Sequence, residues 1–228
     1  MSFFHAGPAP RRFGPRPGIL RDGLGLAPGM AVGLFGGSFN PAHDGHAHVA
    51  ETALRRLGLD RVVWLVSPRN PLKSADQTAP LADRMASARA VARGPDMIVS
   101  DFETRAGLVW TVDVLRALKA RHPGVRFVWL MGSDNLAGFH RWRGWTDVMR
   151  LMPMAVVARP GSLLESRSAP AARRFAAARV PSRSASLLAD MAAPAWTYLR
   201  APLNPRASSA IRAAAGADSG GRDGAARP

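Results

Sequence analysis

The chain has no cysteine, only two lysines, and about half as many acidic as basic residues. Without cysteine it cannot form disulfides or thiolate metal sites, which agrees with a reducing compartment. No stretch approaches the ~20 consecutive apolar residues that span a membrane, and the first residues lack the apolar segment of a signal peptide. We therefore expect a cytoplasmic protein.

The 31 basic residues are nearly all arginine, and against 16 acidic residues they give a net charge of +15. Residues 1–29 contribute +3, from four arginines and one aspartate, and residues 213–228 contribute zero, which leaves +12 for the body. A basic body favours anionic ligands, although a surface that is basic throughout would give the same balance. Because the chain has no aromatic–basic ribonucleoprotein motif, zinc-finger spacing or long basic run, we do not expect it to bind nucleic acid.

The composition divides the chain into a central domain and two tails. Residues 1–29 are rich in proline, glycine and arginine without periodicity, so we expect a disordered or loosely attached extension there. Residues 216–228 read as a flexible tail, which leaves residues 30–215 for the domain. Between these tails only residues 160–195 lack a clear pattern.

Within the domain, apolar strand patterns alternate with helical patterns. The expected strands are 31–35, 61–67, 97–100, 126–131, 154–158 and 196–199. The expected helices are 45–57, 81–92, 111–121, 145–151 and 208–215. This alternation predicts an α/β fold with a Rossmann-like, open, mostly parallel sheet and helices on both faces. Ligands of such sheets bind beyond the carboxyl ends of the strands.

The most informative segment, residues 33–46, lies beyond the first of these strands. Gly36 and Gly37 end the apolar run, and His43 and His46 stand at the start of the next helical pattern. Glycine lets backbone N–H groups approach a phosphate closely, and a helix N-terminus offers unpaired donors and a positive dipole end. Imidazoles three residues apart share one helix face. The segment therefore predicts a polyanion site with two imidazole donors.

The segment resembles the His-x-Gly-His signature of nucleotidyltransferases, in which an acceptor attacks the α-phosphate of a nucleoside triphosphate. The resemblance implies that His43 and His46 are the catalytic residues, with His46 nearest the α-phosphate. The remaining residues of the implied phosphate cradle are Gly36, Gly37, Ser38 and Phe39. Asn40 stands where many members have aspartate, so we assign it no catalytic charge.

A zinc site is the alternative interpretation of the histidines. Helical zinc ligands typically stand four residues apart with a third ligand elsewhere. The spacings from His43 to His46 and from His46 to His48 are three and two, and the last histidine leaves the shared face. We therefore predict no metal site built by the chain.

A second segment, residues 129–142, resembles the nicotinate mononucleotide adenylyltransferases, in which a strand runs into Gly-x-Asp and aromatic residues follow. The resemblance implies that Trp142 stacks on the pyridine ring and that Thr111 and the backbone N–H of Arg143 hold the ring carboxylate. Gly132 and Asp134 would contribute to the nucleotide site, with Asp134 on ribose hydroxyls. A core position for Trp142 and a helix N-cap role for Thr111 are the alternatives.

Two further segments match these families in part. Residues 204–212 resemble a second signature, which implies that Ser208, Ser209 and Arg212 bind the β- and γ-phosphates. Asn70 and Lys73 follow the second strand and are expected near the acceptor, although Lys73 could equally be an ordinary solvated lysine.

Together the resemblances imply adenylyl transfer from ATP to nicotinate mononucleotide, which gives deamido-NAD and pyrophosphate in NAD biosynthesis. Mg²⁺ would enter with ATP, held mainly by phosphate oxygens and water. One alternative is a related enzyme that uses nicotinamide mononucleotide, phosphopantetheine or, with CTP, glycerol phosphate. Another is a nucleotide-binding regulator without catalysis.

Overall fold

Seven parallel strands form one sheet within residues 23–68, 78–159 and 168–200, the parts of the chain described by the computed structural model. The strands are β1 (Ala31–Gly37), β2 (Arg61–Val66), β3 (Met97–Ser100), β4 (Arg126–Gly132), β5 (Met154–Val157), β6 (Arg179–Val180) and β7 (Trp196–Leu199). The predicted Rossmann-like α/β fold is confirmed.

The strand order is β3-β2-β1-β4-β5-β7-β6, so the chain first moves outward from β1 and then returns to its other side. This reversal occurs between β1 and β4, which pair directly with Leu34 opposite Trp129. Because the connections leave these two strands in opposite directions, a crevice opens beyond their carboxyl ends. Gly37 and Gly132 end the two strands at this crevice.

Helices cover both faces of the sheet. They are α1 (Asp44–Leu57), α2 (Leu81–Val91), α3 (Phe102–Arg105), α4 (Thr111–Arg121), α5 (Ser133–Gly138), α6 (Trp145–Leu151) and α7 (Pro170–Arg174). Short 3-10 helices occupy Phe139–Arg141, Ala176–Ala178 and Ser182–Asp190. The core on one face is formed with α1, α2 and the 3-10 helix Ser182–Asp190, and the core on the other with α3 to α7. No helix among the described residues has the length and apolar character needed to cross a membrane.

The elements expected from the sequence are present within the described residues, with ends that differ by no more than two residues. Gly58 ends α1 as a left-handed C-cap with φ +63°, a conformation that glycine adopts without steric cost. The short helices α3, α5 and α7 were not expected, since four to six residues are too few to establish a helical period. The strand β6 was not expected either, because two residues show no alternation. The expected helix 208–215 lies outside the described residues.

Residues 23–29, which the composition assigned to the N-terminal extension, pack on the sheet. Leu24 and Leu26 are each 1 % exposed and belong to the core on the α4 face. Arg61 donates a 3.0 Å hydrogen bond to the Leu24 carbonyl, and the Gly29 N–H donates to Gly124 at 2.8 Å. The composition did not predict this contact, because the glycines next to these leucines are typical of a segment that does not join a core.

Truncation of these leucines tests that packing. We expect Leu24→Ala and Leu26→Ala each to lower the free energy of unfolding by about 2–5 kcal/mol, because each removes a fully buried side chain and leaves a cavity. Urea unfolding measures the change. Leu187→Ala is the control, since Leu187 is 55 % exposed and its loss should change stability by less than about 0.5 kcal/mol. Equal effects at all three positions would contradict a core role for residues 23–29.

Candidate active site

Two histidines close the N-terminus of α1 through reciprocal hydrogen bonds. His43 is the N-cap residue, and its Nδ1 accepts from the Gly45 N–H at 3.0 Å. His46 Nδ1 accepts from the His43 N–H at 3.3 Å, which completes a capping box. Imidazoles therefore take the places usually filled by serine or threonine and by glutamate.

The capping hydrogen bonds indicate which nitrogen of each neutral ring carries the proton. A nitrogen that accepts a hydrogen bond carries no proton, so the neutral rings hold their proton on Nε2. Each ring can then donate from Nε2 while Nδ1 remains occupied by the backbone. The two rings lie close together, with centroids 3.9 Å apart.

Aromatic packing holds His46 and the preceding loop. The His46 ring meets Phe39 edge to face at 5.1 Å between centroids and lies 6.2 Å from Phe35. Phe39 is 2 % exposed and also packs against Trp64 at 5.1 Å. The backbone of Phe39 is left-handed, with φ +45°, which is uncommon for a bulky residue. Such strain persists only where the surroundings over-determine it.

The two glycines before this loop are required by close contacts with aromatic rings. A Cβ on Gly36 would overlap the Trp129 ring, and one on Gly37 would lie 3.1 Å from the Phe39 ring. Both glycines and Ser38 are only half-buried at the carboxyl end of β1. A side chain at Gly36 would therefore displace the Trp129 ring, and one at Gly37 would require the Phe39 ring to shift slightly.

Arg84 lies on α2 and holds the loop in place. Its side chain is only 2 % exposed. Its guanidinium donates to four main-chain carbonyls: Ser38 at 2.9 Å, Ser67 at 2.7 Å, Pro68 at 2.9 Å and Ala79 at 2.9 Å. An arginine within a helical pattern is typical of a solvated surface, so the sequence did not single out this contact.

Further hydrogen bonds tie the same loop to α2. The Ser87 hydroxyl accepts from the Ala42 N–H at 3.1 Å and donates to the Arg84 carbonyl at 2.9 Å. The Asn40 side-chain carbonyl accepts from the Ala79 N–H at 3.2 Å. Asn40 is 6 % exposed, so it holds the loop rather than presenting a polar group to solvent.

The acceptor residues predicted on α4 and after β4 lie together. The Arg143 guanidinium lies 5.2 Å from the Trp110 ring centroid, and a Cβ on Gly144 would be 3.2 Å from Val112. The segment after Trp142 therefore packs on the start of α4, where Thr111 is the first helical residue. The N-cap position belongs to Trp110 and has no side-chain cap bond, so the alternative role of Thr111 as the N-cap is wrong.

Trp142 is half-buried and meets the fully buried Phe139 edge to face at 5.4 Å. The main-chain N–H of Trp142 donates to the Phe139 carbonyl at 3.0 Å. The indole is thus neither a core residue nor a freely moving surface side chain. It is supported along one edge and partly accessible, which suits a stacking platform.

Asp134 is held by Arg159, which the sequence analysis did not identify. Arg159 Nη1 donates to the Asp134 carboxylate at 3.0 Å, and the Arg159 N–H donates to the Ser133 hydroxyl at 2.8 Å. A Cβ on Gly132 would collide with the Asp134 carboxylate and lie 3.0 Å from Arg159. A larger residue at this position would therefore displace the Asp134 carboxylate from Arg159. The predicted site residues Asn70, Lys73, Ser208, Ser209 and Arg212 lie outside the described residues.

A buried acid lies near Arg84. Burial raises the pKa of Glu103 to about 8, against the opposing attraction of the Arg84 charge. Burial likewise lowers the pKa of Arg84, and Glu103 opposes that change. Below about pH 8 the carboxyl is therefore mainly neutral and the guanidinium retains its charge.

The donors around the loop are imidazoles and backbone amides, which match phosphate oxygens better than a cation. The first turn of α1 contains one carboxylate, that of Asp44. Across the described ranges no group of three or more histidines or acids is placed to hold a metal ion.

Comparisons with known proteins show the family of the chain. Residues 34–214 match the family model described as cytidylyltransferase-like. A "Probable nicotinate-nucleotide adenylyltransferase" of Caulobacter sp. (strain K31) is 65 % identical over 80 % of this chain and 97 % of its own length. A protein of the same name from Roseobacter denitrificans is 52 % identical over 86 % of this chain and 99 % of its own.

A solved structure has a similar fold. The Plasmodium falciparum nicotinic acid mononucleotide adenylyltransferase complexed with NaAD matches with a TM-score of 0.60 at 15 % identity, over 81 % of this chain and 83 % of its own. At that identity the likeness shows the fold alone.

The buried acid predicts how stability depends on pH. Because the folded state raises the pKa of Glu103 to about 8 from its ordinary 4.5, its contribution is complete below about pH 4.5 and is lost as the pH rises through about 8. We expect the free energy of unfolding to fall by a few kcal/mol over this range, at about 1.4 kcal/mol for each pKa unit. Urea unfolding at about pH 5 and about pH 8.5 measures the difference.

Glu103→Gln should remove most of that pH dependence, because the amide mimics the neutral acid. Glu51→Gln is the control, since Glu51 is exposed beside Arg55 on α1 and should leave the dependence intact. An unchanged fall in the Glu103→Gln variant would contradict the buried acid as its cause.

Proposed function

The chain belongs to the nicotinate-nucleotide adenylyltransferases, and from this membership we propose that its His43–His46 site transfers the adenylyl group of ATP to nicotinate mononucleotide. The products are deamido-NAD and pyrophosphate. The main support for assigning the reaction to this site is the pair of capped imidazoles. Their backbone-bound Nδ1 atoms leave two Nε2–H donors at the end of β1, beside the strand-order reversal.

The triphosphate binds across the N-terminus of α1. The positive dipole end and the amides of residues 36–39 attract phosphate oxygens, and the imidazoles donate to oxygens around the α-phosphate. Ser208, Ser209 and Arg212 would complete the β- and γ-phosphate contacts.

The transfer is a single in-line displacement. A phosphate oxygen of nicotinate mononucleotide forms a bond to the α-phosphorus of ATP, and the bond from that phosphorus to the α–β bridging oxygen breaks. The nucleophile is already anionic, so no general base is required, and the electron pair leaves with pyrophosphate. The contribution of the protein is alignment and stabilisation of charge, which develops on the oxygens near His43 and His46.

The acceptor binds in the crevice beyond the carboxyl ends of the strands. Trp142 stacks on the pyridine ring, while Thr111 and the Arg143 N–H bind its carboxylate. The packing of Arg143 on Trp110 supports this arrangement, because it brings the two segments together. Asp134 binds ribose hydroxyls, with Arg159 fixing its carboxylate. Asn70 and Lys73, which follow β2 in the sequence, would bind the same ligand.

Mg²⁺ enters as part of the substrate MgATP. Phosphate oxygens and water hold it, because Mg²⁺ keeps much of its hydration and prefers oxygen ligands. It lowers the charge that repels the incoming anionic acceptor.

Pyrophosphate release from ATP across a small panel of acceptors tests the function. We expect nicotinate mononucleotide to give the highest kcat/KM, because its ring carboxylate has donors at Thr111 and Arg143. Nicotinamide mononucleotide and phosphopantetheine should react far more slowly. Equal kcat/KM for the nicotinate and nicotinamide nucleotides would overturn the acceptor assignment, and ATP binding without turnover on any acceptor would favour a regulator.

His46→Ala tests the assigned chemistry. We expect kcat to fall by about 10²–10⁴-fold, because the variant loses a donor that follows charge in the transition state. Loss of the cap should cost only ~1 kcal/mol of stability, so the fold should persist by circular dichroism. Steady-state kinetics with saturating substrates measures kcat.

His48→Ala is the matched control on the same helix. His48 stands two residues after His46 and lies off the helix face that His43 and His46 share. We therefore expect the kcat of this variant to stay within about two-fold of wild type. Turnover close to wild type in His46→Ala would contradict the proposed role.

A further inference from the structure

The guanidinium of Arg84 joins three separate segments at the carboxyl edge of the sheet. Ser38 follows β1, Ser67 and Pro68 follow β2, and Ala79 precedes α2. Four hydrogen bonds of 2.7–2.9 Å reach their carbonyls, which uses four of the five donors of the side chain. Arg84 is 2 % exposed, so it lies beneath the loop and is not in a position to bind a dissolved ligand as a surface residue would.

One of these bonds orients a peptide group of the phosphate loop. In a trans peptide the carbonyl and the following N–H point in opposite directions. Since the Ser38 carbonyl is turned toward Arg84 at 2.9 Å, the N–H of Phe39 is turned away from it. The left-handed backbone of Phe39, φ +45°, is what this orientation requires of a residue that would otherwise avoid it.

We propose that Arg84 is a positioning residue for ATP: its buried guanidinium holds the Ser38–Phe39 peptide so that the Phe39 N–H faces the triphosphate. This inference rests on the proposed function of the loop as a phosphate site. The loop is then ready before ATP arrives, and binding does not have to supply the energy of the Phe39 conformation.

The chemistry of the contact favours arginine over any other residue. A planar fork of fixed donors can reach carbonyls in several directions, whereas a lysine ammonium is a compact charge with three donors. The charge is buried, and Glu103 lies near enough for its ionised form to attract it. Ser87 adds a second anchor from the same helix through the Ala42 N–H, so the far end of the loop is held as well.

Binding of a non-hydrolysable ATP analogue to Arg84→Lys and Arg84→Ala tests the proposal. We expect the Kd of the analogue to rise about 10-fold or more in both variants and kcat with ATP to fall by up to about 100-fold, because small displacements of positioned groups have effects of this size. Calorimetry without acceptor measures Kd. Millimolar guanidinium should restore part of the affinity of Arg84→Ala, whereas urea, planar but uncharged, should not.

Arg61→Lys is the matched control. Arg61 also donates to a main-chain carbonyl, that of Leu24 at 3.0 Å, but at the opposite edge of the sheet where β2 begins. Its variant should lose stability without a change in Kd. A Kd for Arg84→Lys within two-fold of wild type, together with a lowered melting temperature, would overturn the proposal and leave Arg84 with a structural role only.

Two measurements separate the possible failures. If Arg84→Ala does not fold, Arg84→Lys and the double variant Arg84→Gln/Glu103→Gln decide. The first keeps a positive charge near Glu103, and the second removes both ionisable groups. If wild-type protein binds the analogue but releases no pyrophosphate with nicotinate mononucleotide, the proposed function fails while the effect of Arg84 on binding is still measured. Wild-type protein that binds no analogue would overturn both.

Discussion

The proposed site depends on the two hydrogen bonds that cap α1, in which His43 Nδ1 accepts from the Gly45 N–H and His46 Nδ1 accepts from the His43 N–H. They satisfy N–H groups that the first turn of α1 would otherwise leave unpaired. The same two bonds occupy Nδ1 of each ring and so place the donors on Nε2. A capping box of serine and glutamate would cap the N-terminus of α1 equally well, but it would provide no imidazole donors beside the proposed phosphate loop. Stability of the helix and the chemistry of the site thus depend on the same atoms.

Strand order explains why the two halves of the site meet. The helix with the histidines packs on one face of the sheet, and α4 with Thr111 packs on the other. In a parallel sheet, helices that return along the strands begin at the carboxyl edge, so both N-termini lie there. The reversal between β1 and β4 leaves the crevice into which they open. The N-termini of helices from both faces therefore lie at the same edge of the sheet, where the proposed site is.

Two arginines hold the groups around the proposed site. Arg84 lies beneath the phosphate loop, and Arg159 fixes the Asp134 carboxylate where β4 and β5 end. Glycines at Gly36 and Gly132 allow the neighbouring side chains to come that close. Since a buried polar group is costly to leave without a partner, the Arg84 contacts favour one arrangement of the loop.

The sequence alone determined the alternation of strands and helices, the α/β class and the location of the glycine–histidine segment after the first strand, because these patterns are local and repeat within a few residues. It also brought Thr111, Trp142 and Arg143 to notice through resemblance. Only the tertiary structure decided the strand order, the burial of Leu24 and Leu26, and the contacts of Arg84 and Arg159. Those features join residues far apart in the chain, and an arginine looks the same in a sequence whether it faces solvent or a buried row of carbonyls.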